Sequence, residues 1–115
     1  MPVFKYDDIR LKQIDMDSVN NVSRAAVIGK PEGWEDNVLR VFRIGPNGYT
    51  PRHQHDWEHV NYIIRGRGKL RIGDTVYDIA EKDFAFVPPN TEHQFENPYN
   101  EPFEFICIVP ARGEY

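Results

Sequence analysis

The chain has little of what would tie or anchor it. It has a single cysteine, Cys107, so no internal disulfide can form among its 115 residues. No apolar run is long enough to span a bilayer. The opening stretch Met1-Pro-Val-Phe-Lys-Tyr-Asp-Asp lacks the apolar centre of a secretory signal. With a lone thiol beside it, a cytoplasmic location is expected. No sign of charge dominates any stretch: the formal net charge is −4 and the 14 basic residues are scattered. A basic stripe for nucleic acid is therefore excluded. Long helical periodicity, internal repeats and low-complexity linkers are also missing, and the length fits one core, so a single domain over 1–115 is expected.

What is present is short. Nine prolines and eight glycines punctuate runs rich in Val, Ile, Phe and Tyr. That pattern predicts many short strands, hence an all-β sandwich or barrel. Strands are expected at 22–28, 37–44, 59–64, 69–72, 75–79, 84–87, 92–96 and 103–109. Residues 3–20 form an extended arm able to add to a sheet edge, giving about nine short antiparallel strands in all. Gly45-Pro-Asn-Gly48 reads as a tight turn, and Gly73-Asp74 as the connection of a hairpin. Strands this short need a curled sheet, and a jelly-roll barrel supplies one.

Histidine is scarce and concentrated. Three of the four lie in Arg52-His53-Gln-His55-Asp-Trp57-Glu58-His59, and the fourth, His93, lies in Pro88-Pro-Asn90-Thr-Glu-His93-Gln-Phe-Glu-Asn97. On a strand, His53 and His55 point to one face, and His59 shares their parity. Glu58 has the opposite parity. Neutral imidazole is the commonest metal ligand near pH 7. His53, His55, His59 and His93 are therefore candidate metal ligands. Glu58 is the rival to His59 if the chain kinks at Trp57.

These two segments resemble the paired motifs of the cupin superfamily of small β-barrels. The first motif, over 47–66, reads G-x5-H-x-H-x3/4-E-x6-G: His53, His55 and Gly66 match, Asn47 replaces the first glycine, and His59 replaces the glutamate. The second, over 82–97, reads G-x5-P-x-G-x2-H-x3-N: Pro88, His93 and Asn97 match, while Lys82 and Asn90 replace the glycines. The run H-x-H-x-W-E-H is similar to that of a subgroup of small bacterial and archaeal cupins with four histidine ligands. The resemblance implies a jelly-roll barrel and one divalent transition-metal ion, with manganese or iron favoured and zinc, nickel, copper or cobalt also compatible with imidazole. It implies a homodimer too, often formed through N-terminal strands, so the 1–20 arm is a candidate for exchange between copies.

Four neutral imidazoles would leave a divalent ion its full charge, and an octahedral ion would keep two positions for a substrate. No general acid or base accompanies the histidines, which argues against hydrolysis or sugar epimerisation. The expected function is a metal-dependent oxidoreductase or dioxygenase-type enzyme on a small organic substrate. A non-catalytic metal- or ligand-binding module is the alternative, and a metal that merely staples the barrel is the third. Phe105 and Cys107 are candidate pocket-lining residues, against ordinary core. Arg40 either points inward, where it would bind an anionic substrate, or lies on the solvated outer face, the commoner outcome. Asn97 is expected to fix a turn.

Overall fold

β-branched and aromatic residues at alternate positions bury one face of each strand, and the strands curl around that face. The computed structural model describes residues 3–115. Among them are nine strands: β1 (Lys12–Gln13), β2 (Asn20–Ile28), β3 (Asn37–Tyr49), β4 (His59–Arg65), β5 (Arg67–Ile72), β6 (Thr75–Ala80), β7 (Phe84–Val87), β8 (His93–Asn97) and β9 (Phe103–Pro110). Helix is limited, among the described residues, to three 3-10 turns at Tyr6–Asp8, Lys30–Glu32 and Ala111–Gly113. None is long and apolar enough to cross a membrane.

All pairings are antiparallel, and the order β6-β5-β8-β3-β9-β4-β7 makes one curled sheet, with β2 on β3 and β1 on β2. This is the all-β jelly roll expected from the strand pattern. β3 is its corner strand. Asn37 to Ile44 pairs with β9, whereas Gly48 and Tyr49 pair with Asn97 and Glu96 of β8.

The expected tight turn at Gly45–Gly48 is not there. β3 runs on to Tyr49, and the pairing jumps from Val22↔Ile44 to Asn20↔Tyr49, so the extra residues bulge out of the ladder. Asn47 takes a positive φ of 61° in that bulge. The turn residues do bend the chain, but by re-aiming a strand rather than ending it.

The arm at 3–20 folds back on its own chain. Lys12 and Gln13 pair with Arg24 and Ser23, and Ile14 N–H donates to the Val22 carbonyl at 2.8 Å.

The core lies between the walls of the curl. Ile44, Ile63, Leu70, Val87, Phe95 and alternate residues of β9 (Phe103, Phe105, Cys107 and Val109) are all buried. Phe95 and Phe105 stack at 4.3 Å between centroids, and Phe105 stacks on Phe42 at 5.4 Å. Gly66 links β4 to β5 at φ 78°, where any Cβ would strike the Pro102 carbonyl. Only glycine meets both demands.

Candidate metal centre

The histidines approach from three sides of the barrel. His59 opens β4 and His93 opens β8, so both are set by ladder pairing. His53 and His55 do not share a strand, as parity alone suggested. They lie in the connection between β3 and β4, and backbone bonds to the second motif hold them there. His53 and His93 form an isolated bridge, with His93 N–H donating to the His53 carbonyl at 2.9 Å and the reverse bond at 3.2 Å. Asn90 N–H donates to the His55 carbonyl at 2.7 Å. The two motifs are thus knitted by main chain before any side chain is counted.

The ring nitrogens of His53, His55 and His93 lie within 4.8 Å of one another. His59 stands outside that mutual radius but joins from one side. Its Nε2 is 3.0 Å from His55 Nε2, and its ring is 4.7 Å from that of His93. The structure therefore brings all four imidazoles together. Glu58 is half-buried, and its carboxylate is not among the donors that lie within that radius.

Tautomers follow from the outer contacts. A carbonyl only accepts, so His55 Nδ1–H donates to Trp57 O at 3.1 Å and His93 Nδ1–H to Thr91 O at 2.9 Å. Both Nε2 lone pairs then face the centre. His59 Nδ1 lies 3.4 Å from Cys107 Sγ, which also accepts from Arg40 Nη2 at 3.0 Å. With the sulfur accepting from His59 Nδ1–H, His59 also presents an Nε2 lone pair; with the thiol donating instead, His59 Nε2–H donates to His55 Nε2.

Two facing lone pairs 3.0 Å apart repel unless a cation or a proton sits between them. Two nitrogens bound at right angles to an ion, with bonds of about 2.1 Å, sit about 3.0 Å apart. His93 Nε2 is buried and without a protein partner, a state that native cores rarely leave unexplained. Donor chemistry, tautomers and the orphaned nitrogen all fit a divalent transition metal.

Every imidazole in the cluster is held neutral. Burial is the main cause throughout. It pushes His59, the more enclosed, down to about 2, and His53, open to solvent on one edge, to about 4. His55 and His93 are also lowered, each opposed by its bond to a backbone carbonyl. All four then sit below the unfolded-chain value near 6.5. As pH falls, the unfolded chain binds protons first, so stability should be lost from about pH 6.5 downward. Thermal melts of chelator-treated protein between pH 7.5 and 4.5 should show the midpoint falling, and the fall should shrink in His59→Ala. A flat profile would contradict the buried, neutral cluster.

Behind the histidines lies a cavity of about 40 Å³, lined by Arg40, Phe42, Thr50, His53, His59, His93, Phe95, Phe105 and Cys107. It has room for a few water-sized groups. Phe105 and Cys107 both line the cavity and are both buried. Arg40 corrects the commoner expectation: it turns inward, its side chain 11% exposed, with its guanidinium over the Phe42 ring at 5.1 Å. Burial pushes the Cys107 thiol up, so it stays protonated.

Two neighbours of the cavity were missed. Arg24 and Glu114 pair at 2.6 Å beside Arg40. Arg24 shares the strand alternation of Val22, which was a usable signal, but Glu114 had none. Asn97 does fix a turn: its amide donates to the Ile44 and Glu101 carbonyls, and its Oδ1 accepts from Tyr99 N–H.

A curled jelly roll with an inward-facing histidine cluster at one end is the class that fold and site define together. Residues 40–109 match the cupin domain, and the chain belongs to that family. It is 36% identical over 76 residues to the 1-methylthio-D-xylulose 5-phosphate methylsulfurylase of Rhodospirillum rubrum, covering 66% of this chain and 49% of that protein. The chain spans about half the length of the curated relatives it matches first. Among solved structures it resembles the polyketide cyclase RemF of Streptomyces resistomycificus, with a TM-score of 0.88 and 25% identity, covering 96% of this chain and 79% of that one. A cupin-2 domain from Rhodospirillum rubrum superimposes with a TM-score of 0.84 and 26% identity, covering 95% and 74% of the two chains.

Proposed function

We propose that His53, His55, His59 and His93 hold one divalent transition-metal ion, manganese or iron by preference. On this reading the barrel is a metal-dependent enzyme acting on a small organic molecule by redox chemistry with dioxygen or a peroxide. The observation that carries it is the unpartnered, buried Nε2 of His93 facing three further imidazoles. When bound, the ion supplies a Lewis-acidic, redox-capable centre with coordination positions left for substrate.

The chain's own residues do the rest. Backbone carbonyls of Trp57 and Thr91 fix two ring orientations. Phe42, Phe95 and Phe105 keep water from the inner cavity. Arg40 supplies the charge that orients a polar substrate group. The cavity of about 40 Å³ admits only the reacting end of a substrate, so the remainder must lie toward the mouth. Relatives named as a methylsulfurylase and a polyketide cyclase support an enzyme and point equally to a non-redox reaction on the same scaffold.

The test is turnover of metal-loaded protein with a panel of small hydroxy, keto and thioether acids, under air, under argon, and under argon with added hydrogen peroxide. Products that require air or peroxide support the redox reading. Products formed equally under argon alone overturn it in favour of Lewis-acid chemistry. A substrate-dependent change in the metal's spectrum without product makes the barrel a binding module.

We also propose that the chain pairs with a second copy. Val60 and Phe86 are register partners on β4 and β7, and with Phe84 they are 44%, 55% and 79% exposed. Such a stripe beside an edge strand calls for cover. Light scattering should give a dimer, and Phe84→Glu should convert it to a monomer. A monomeric wild type would refute the pairing.

A further inference from the structure

Arg24 and Arg40 stand on adjacent strands facing the same interior. Arg24 lies opposite Phe42, and Arg40 lies two residues before it. Both guanidiniums lie over the Phe42 ring, at 5.8 and 5.1 Å from its centroid. Two cations so close need an anion between them. The chain supplies one: Glu114 Oε1 is 2.6 Å from Arg24 Nη2 and 3.7 Å from Arg40 Nη1.

The match is poor. One oxygen serves both arginines, the contact to Arg40 is long, and both Nε atoms are buried with no partner. A guanidinium fork is built for a bidentate acceptor, and neither arginine has one here. Glu114 itself rides on the short turn Ala111–Gly113. That turn is fastened by the exposed Arg112–Asp56 ion pair and by Gly113, where a Cβ would come 2.8 Å from Trp57 Nε1. The site continues inward, since Arg40 Nη2 reaches Cys107 Sγ, which touches His59.

We propose that Arg24 and Arg40 form an anion subsite adjoining the histidine cavity, and that Glu114 is its internal placeholder. The ligand is a small organic molecule bearing a carboxylate or a phosphate. On binding, that group displaces the Glu114 carboxylate and satisfies the two guanidiniums with paired oxygens. The subsite requires no ion in the histidine cluster, so its fate is separate from that of the metal reading.

The test is isothermal titration of the full chain, stripped with chelator and checked by circular dichroism, with malonate and with inorganic phosphate at matched ionic strength. Stripping prevents either probe from binding a metal directly. Glu114→Gln should tighten binding of at least one probe about tenfold over wild type, because the competing carboxylate is gone. Adding Arg24→Gln or Arg40→Gln should then remove that binding. The probe that responds identifies a carboxylate or a phosphate ligand. Failure of both probes to bind Glu114→Gln at millimolar concentration overturns the proposal. So does binding that survives loss of either arginine. If Glu114→Gln does not fold, the single variant Arg40→Gln decides: lost binding relative to wild type supports the subsite, and unchanged binding overturns it.

Discussion

His93→Ala is expected to empty the metal site. Tag-free wild type purified without chelator should carry about one equivalent of transition metal, and the variant close to none. His93 is 2% exposed, lies at the start of β8, and is locked by its Nδ1 bond to Thr91 O, so its Nε2 has one direction in which to act. The His59 ring is nearly as enclosed, and His59→Ala should weaken binding by at least about a hundredfold, the scale on which losing even an outer support shows. Glu58→Ala should leave the metal content unchanged, since on the proposed reading the four imidazoles hold the ion. The measurement is elemental analysis beside a melting curve. A structural histidine would show the opposite pattern, with stability lost in the metal-free protein and no metal to lose. Wild type that neither contains nor takes up metal would end the metal reading.

Much of this site was legible because histidine is rare here and its spacing is chemical. The strand pattern was legible too, since β5, β6, β7 and β9 fall within about two residues of where alternation and turn residues place them. What failed has a common cause. Parity assumes a regular strand, and His53 and His55 lie where the strand has ended. Their convergence comes from long-range backbone pairing within the chain, His53 with His93 and His55 with Asn90, which local pattern does not encode.

The motif glycines teach a related lesson. Asn47, Lys82 and Asn90 stand where the resemblance expects glycine, and all three keep a positive φ, of 61°, 75° and 59°. Asn tolerates that conformation, but Lys82 holds it against the usual steric preference. All three hold a backbone conformation that glycine would adopt more easily. Arg40 failed for another reason. An arginine in an apolar run is read as solvated unless its partners are known, and Arg24, Cys107 and Glu114 are brought to it only by register and by a distant turn.

Glu104 was missed most completely, and it carries the largest expected effect on stability. Strand alternation correctly puts it on the opposite face of β9 from Phe103 and Phe105, which predicts exposure, yet it is fully buried. Register explains why. Arg43 on β3 and Arg65 on β4 are its cross-strand partners, and their guanidiniums reach Oε2 at 3.0 and 2.7 Å. The phenol of Tyr6, in the arm's first 3-10 turn, donates to Oε1. Burial first, and then that bond, push the Tyr6 hydroxyl well above its ordinary value, so it remains a donor.

Glu104 therefore pins the N-terminal arm across the outside of the barrel. Glu104→Ala would remove the shared acceptor and leave a cavity beneath the arm. It should cost about 3 kcal/mol, at the lower end for a broken buried pair because water can take over the half-exposed arginines. Glu104→Gln keeps the volume and should cost less. Tyr6→Phe should cost about 1 kcal/mol, the net value of one hydrogen bond. Combined with Glu104→Gln it should add less than its single cost, because both changes strike the same contact. Urea unfolding gives the energies, and limited proteolysis within 3–20 reports whether the arm has lifted. A Glu104→Ala protein as stable as wild type, with an equally protected arm, would mean that packing alone holds the arm and the buried carboxylate contributes nothing.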